Sequence, residues 1–119
     1  MTPQELVETL KCHERFVRRA PGGVRADLRN QVLTGLKLPN AVLARATLSG
    51  TDFSRSVMPG ADFSDCDLFG AVFEGADLRN ANCERADLRG AKFRNAQLSG
   101  ARMTGADLRA GAVVAVGQA

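Results

Sequence analysis

The chain has 119 residues, the length of one domain, and its 16 Lys and Arg against 13 Asp and Glu give a net charge of +3. Its 45% hydrophobic and 24% charged residues exclude a disordered chain. No apolar run approaches the ~20 residues of a membrane helix, and no secretory h-region follows a basic start.

Residues 1–25 read as an N-terminal capping helix with its linker. Thr2-Pro3-Gln4-Glu5 has the form of a capping box with Pro at the first helical position. Leu6, Val7, Leu10 and Val17 follow helical spacing, Lys11, Arg15, Arg18 and Arg19 favour the C-terminal end, and Pro21-Gly22-Gly23 stops the helix. This segment carries five basic and three acidic residues. The remaining eleven basic and ten acidic residues make neither portion a polyanion or a polycation.

From residue 28 every fifth position is apolar, running Leu28, Leu33, Leu38, Leu43, Leu48, Phe53, Met58, Phe63, Leu68, Phe73, Leu78, Cys83, Leu88, Phe93, Leu98, Met103, Leu108 and Val113. Two residues before each stands a small one, Ala at 12 of 18 sites, with Gln31, Leu36, Thr51, Ser56, Cys66 and Gly111 as exceptions. A period of five fits neither regular element. On a helix it rotates each step by about 140°, and on a flat strand it sends alternate residues to opposite faces. It is satisfied if the backbone turns once per pentad, so that the whole file points at one axis, with stacked coils pairing at ~4.8 Å. A 20-residue step gives uniform rows (Leu28, Leu48, Leu68, Leu88, Leu108 and Leu33, Phe53, Phe73, Phe93, Val113), whereas a 15-residue step mixes them. The reading is therefore an all-β solenoid with four sides, polar outer positions and Gly-rich corners.

Segments such as Ala26-Asp27-Leu28-Arg29-Asn30, Ala76-Asp77-Leu78-Arg79-Asn80 and Ala86-Asp87-Leu88-Arg89-Gly90 resemble the bacterial pentapeptide-repeat family over residues 26–113. The resemblance implies a right-handed quadrilateral β-helix, here of about four and a half coils. Gln31 and Leu36 depart from its pattern in the first coil, which fits something packed against that coil. Solenoid ends need caps. The helix is expected to cover the first coil through Leu6, Leu10, Val17 and Leu36, the alternative being that it swings out to a partner. Residues 114–119 form an apolar tail. Val113, Val114 and Val116 expose a patch read either as a partner or dimer interface or as the approach to a further domain.

Three Cys, an odd number with no CxxC, favour a reducing cytoplasm over a disulfide scaffold. Cys12, His13 and Glu14 are helix neighbours whose side chains diverge, so no metal is expected and His13 reads as a surface or cap residue. Cys66 and Cys83 read as small inward residues. Asp67, Asp87 and Asp107 beside Arg89 and Arg109 read as a solvated ion-pair ladder rather than paired catalytic carboxylates. Phe69 points outward and is the candidate contact on the shaft. No catalytic residue, metal or cofactor is expected, since a convex repetitive surface offers no converging groups.

The functional reading is a non-catalytic interaction or scaffolding rod for a protein partner, with a homodimer through the C-terminal end as one arrangement. The alternative that the resemblance implies is a DNA-mimicking modulator of DNA gyrase or topoisomerase. The balanced charge of the shaft argues against mimicry of a polyanion. Direct nucleic-acid binding, suggested by a pI near 9.1, lacks a basic stripe, and a membrane partner is not expected.

Overall fold

The computed structural model describes residues 1–109. One helix, α1 (Pro3–Val17), precedes a coiled shaft. The capping box is complete: Thr2 Oγ1 accepts from the Glu5 N–H at 3.0 Å and Glu5 Oε1 from the Thr2 N–H at 2.7 Å. The helix closes with the Arg18 N–H donating to the Glu14 carbonyl at 3.0 Å and the Arg19 N–H to the Phe16 carbonyl at 3.2 Å.

The shaft is a stack of parallel single-residue bridges, each joining residues 20 apart, from Asp27 with Thr47 to Asp87 with Asp107. Two hydrogen bonds per side hold each bridge. The central apolar residue donates to the coil ahead (Leu28 N–H to the Thr47 carbonyl, 2.9 Å), and the outward residue before it donates to the coil behind (Thr47 N–H to the Ala26 carbonyl, 3.0 Å). The 20-residue register is the quadrilateral β-helix, and it extends through the first coil despite Gln31 and Leu36.

Corners follow from one backbone requirement. Every described pentad but the one ending at Gly35 closes in a turn with a hydrogen bond from the next small residue to the central carbonyl, as Ala61 N–H to Met58 O at 3.2 Å. The third residue of that turn has positive φ, the type II signature. Eight glycines supply it between residues 35 and 105, but Asn30, Asn40, Asn80, Asn95, Asp65, Arg45, Arg55 and Arg85 adopt it as well. Asn and Asp tolerate this region, whereas the three arginines carry the strain of a side chain crowded against its own carbonyl. At three corners Asn and Gly alternate for a steric reason. The amides of Asn30, Asn40 and Asn80 fold under Gly50, Gly60 and Gly100, and a Cβ on any of those glycines would overlap the amide oxygen.

Inside, the central file fills the lumen. Phe53, Phe73 and Phe93 lie nearly parallel, at interplanar angles of 9° and 10° with centroids 5.4 Å apart. Phe63, ten residues away and so on the opposite wall, meets Phe53 and Phe73 edge-on at 5.9 and 5.6 Å. Both arrangements suit the ring quadrupole. Where the small file is not Ala, its polar atoms donate to carbonyls of the preceding coil: Thr51 Oγ1 to Leu28, Ser56 Oγ to Leu33 and Cys66 Sγ to Leu43, each at 2.8 Å. Ser56 also accepts the Leu36 N–H at 3.1 Å, bridging Leu36 to Leu33 across the turn. The bulky Leu36 is accommodated by that inserted hydroxyl.

The helix docks on the first coil, and one of its buried residues, His13, is not among the expected contacts. Leu6 is buried in the core cluster, and Leu10 and Leu36 pack against it. Val17 is only half-buried and lies outside that cluster, and Val7 is 48% exposed. His13, fully buried, joins Leu6 inside the joint, and Phe16, half-buried like Val17, carries the Arg45 guanidinium 5.1 Å from its ring centroid. The angle at which α1 lies across the coil turns the Val7 face outward, and helical spacing carries no information about that angle.

Gly35 and Gly60 share positive φ, but a Cβ at Gly35 meets nothing within 4 Å. Gly35→Ala is expected to destabilise by about 1 kcal/mol, the backbone cost alone. Gly60→Ala should cost about 2 kcal/mol, because Asn40 must also move. Urea melts of the two variants check this, and the excess at Gly60 should vanish in an Asn40→Gly background.

Candidate functional site

The outward positions form the candidate interaction surface. The first outward residue of a pentad is often Asp or Asn, and its Oδ1 accepts the N–H two residues on, an Asx turn that fixes the side chain against the wall. Asp27, Asp52, Asp62, Asp67, Asp77, Asn82, Asp87 and Asp107 all do so, at 2.9–3.2 Å. Where the residue two further on is Arg, its fork closes on the same carboxylate. Arg29, Arg79, Arg89 and Arg109 hold Asp27, Asp77, Asp87 and Asp107 with Nη2–Oδ2 distances of 2.7–2.8 Å. Those guanidiniums, through direct hydrogen bonds, hold the carboxyls below the usual aspartate range, and Asp107 is brought down to about 2.

The pairing corrects the expected ladder between coils. Asp87 and Asp107 are each tied within their own pentad, and along that column Arg89 reaches Asp107 only at 3.9 Å. A true inter-coil pair occurs one side round, where Arg85 grips Asp65 with two 3.0 Å bonds. Asp67 has Phe69 where its neighbours have Arg. That ring is 50% exposed, but it is not isolated: Arg89, one coil on, lies over it at 5.3 Å. Asp67, Phe69, Asp87 and Arg89 thus form one small patch, an aromatic ring roofed by a cation and flanked by two carboxylates. The 20-residue step puts Phe69 and Arg89 in one column.

Charge is banded along the axis. Residues 1–45 hold eight basic and four acidic side chains, residues 46–85 three and seven, and residues 86–109 five and two. Two shallow grooves flank α1. One of about 330 Å³ runs past Glu8, Cys12, Val24 and Arg25, and one of about 260 Å³ past Val7, Leu10, Leu38 and Pro39. Among the described residues, no three His, Cys, Asp or Glu side chains converge to hold a metal ion. Cys66 and Cys83 are buried, and burial pushes both thiols up to about 12, while Cys12, on α1, is half-buried. His13, read as a surface or cap residue, is wholly inside the joint between helix and coil. A lone histidine gave no signal of that role. Val113, Val114 and Val116 lie outside the described residues.

A closed four-sided solenoid with preset charged pairs on convex walls defines a right-handed β-helical rod, a fold that in general serves structure and interaction rather than catalysis. The chain belongs to the pentapeptide repeat family, whose model matches residues 24–58, 37–75 and 71–109 with eight copies of the repeat. Among solved structures it is similar to a pentapeptide repeat protein from the thylakoid lumen of Arabidopsis thaliana, at 30% identity and TM-score 0.69, over 71% of this chain and 59% of that one. It is also similar to trypsin-treated QnrB1, a plasmid-mediated fluoroquinolone resistance protein, at 26% identity and TM-score 0.66, over 71% of this chain and 43% of that one. The chain therefore spans 59% or less of the length of these two structures. No curated protein matches it. Among the described residues no helix is long and apolar enough to cross a membrane.

Only a thiolate reacts readily with a disulfide reagent, and burial keeps two of the three thiols protonated. Under native conditions at pH 8, Ellman's reagent should titrate about one thiol per chain, with the other two reacting only after denaturation. Labelled-peptide mapping should find the early label on Cys12.

Proposed function

We propose that the protein is a non-catalytic interaction module, a rigid rod that presents a flat outer face to a protein partner in the cytoplasm. The observation that carries this reading is the Phe69–Arg89 patch. An exposed aromatic ring roofed by an arginine, on a wall of coil-locked backbone, loses little conformational freedom on binding. Tyr, Trp and Arg dominate binding energy at such surfaces, and an aromatic–Arg pair has the same character. The arginines already closed on aspartates have part of their hydrogen-bonding capacity satisfied, which disfavours a phosphate backbone as the partner.

The C-terminal residues Val113, Val114 and Val116 are the proposed second contact, through which two copies join. Light scattering of the full chain should give a dimer, and the Val114→Asp/Val116→Asp variant a monomer; a monomer in both removes the dimer. For the shaft, the immobilised rod should retain a partner from its native extract, and Phe69→Ser/Arg89→Glu should reduce that capture at least tenfold with an unchanged melting temperature. Equal capture by both proteins would remove the patch from the reading.

A second reading, modulation of DNA gyrase, is favoured by the similarity to the fluoroquinolone resistance protein. The acidic belt at residues 46–85 is the only stretch with polyanion character, and cationic bands flank it on both sides. In a supercoiling assay with excess rod, an altered gyrase rate would support this reading and an unchanged rate would remove it.

A further inference from the structure

The joint between helix and shaft turns on one side chain. His13 Nδ1 accepts the Ala26 N–H at 2.9 Å, and Nε2 lies 2.8 Å from the Ala44 carbonyl. An amide N–H can only donate and a carbonyl can only accept, so the ring is fixed as the neutral tautomer with its proton on Nε2. It ties α1 to both ends of the first coil at once, to Ala26 where the coil begins and to Ala44 where it closes. The ring is wholly buried, with Phe16 against it at 5.6 Å between centroids.

A second proton has no place there. It would sit on Nδ1, facing the Ala26 N–H, so one hydrogen bond becomes a contact between two donors. The charges that bear on the ring from the elements around it are Arg25, in the linker, and Arg45, at the coil corner, both positive. On α1 itself, Glu14 is engaged with Arg18 at 2.8 Å. We propose that His13 is a pH-operated latch: its protonation releases α1 from the first coil and bares the N-terminal end of the rod, while the coils behind it keep their pairing.

The sign follows from the same geometry. Burial, reinforced by the two cations, holds the docked ring below 6.5, the usual histidine value, although the Ala44 and Leu43 carbonyls oppose the shift. Docking is therefore complete above about pH 6.5 and weakens as pH falls through the lower docked value. Its equilibrium constant drops by up to about tenfold per pH unit between the two. The interior coils hold no histidine, and their ladder of bonds, such as Phe73 N–H to Lys92 O at 2.7 Å, does not titrate in this range.

Nuclear magnetic resonance on the full chain between pH 8 and pH 4.5 tests the latch. His13 ring shifts should report the Nε2–H tautomer at high pH. As the ring titrates, the Ala26 amide should lose its exchange protection, corrected for intrinsic rates, at least tenfold, while the Phe73 amide keeps its own. In His13→Gln the Ala26 amide should show no such transition. If that variant never docks, Arg45→Gln decides: it relieves the ring of one cation, so the docked pKa should rise and the pH span of the loss should narrow. The latch is overturned if the ring titrates with Ala26 still protected, if His13→Gln shows the same acid transition, or if Arg45→Gln leaves the span unchanged.

Discussion

Every fifth residue of the shaft holds its backbone at positive φ, and the rest of the molecule depends on that repeated turn. It converts a sequence period of five, useless to a helix or a flat strand, into four walls that share one axis. Once the walls exist, each coil finds donors and acceptors 20 residues away, and the apolar file closes over a lumen wide enough for one layer of side chains. The conformation is expensive for residues with a Cβ, so glycine and asparagine concentrate at the corners. Arg45, Arg55 and Arg85 sit there against their own preference. The neighbouring turns and ladders over-determine the backbone at those sites.

The shaft was legible in the sequence because its two inward files repeat without interruption, and because rows such as Leu33, Phe53, Phe73 and Phe93 distinguish four sides from three. The capping box at Thr2 and Glu5 was equally legible, being local. What the sequence did not reveal were contacts fixed by how pieces meet. Helical spacing grouped Val7 with Leu6 and Leu10, yet Val7 faces outward and the polar His13 is the residue buried at the joint. Ser56 looked like a small residue at a small site, and its hydroxyl proves to bridge Leu36 and Leu33. The Asp and Arg columns suggested bonds between coils. An Asx turn folds each of these aspartates toward the residue two further on, so the forks close within the pentad, and Arg85 with Asp65 is the exception among the tight pairs.

These local closures shape what the surface offers. An arginine tied to its own aspartate is oriented and partly neutralised, which leaves the outer walls chemically even except where the pattern breaks. Phe69 is such a break: the pentad supplies the aspartate but not the arginine, and the arginine of the coil ahead leans over the ring instead. The banding of charge along the axis is a coarser signal superimposed on this, with cationic regions on either side of an acidic belt. Departures from the repeat are therefore what distinguish one wall from another, because the repeat itself is the same on every side.

The fixed register has a consequence for how such a rod changes over evolutionary time. Loss or duplication of a whole coil would lengthen or shorten the shaft and leave every column intact. Loss of a single pentad upstream of residue 89 and downstream of residue 69 would keep the lumen filled, yet it would rotate everything beyond by a quarter turn and carry Arg89 onto a different wall from Phe69. Small insertions thus act as a rotary dial on the exterior, reassigning which side chains share a face without disturbing the fold.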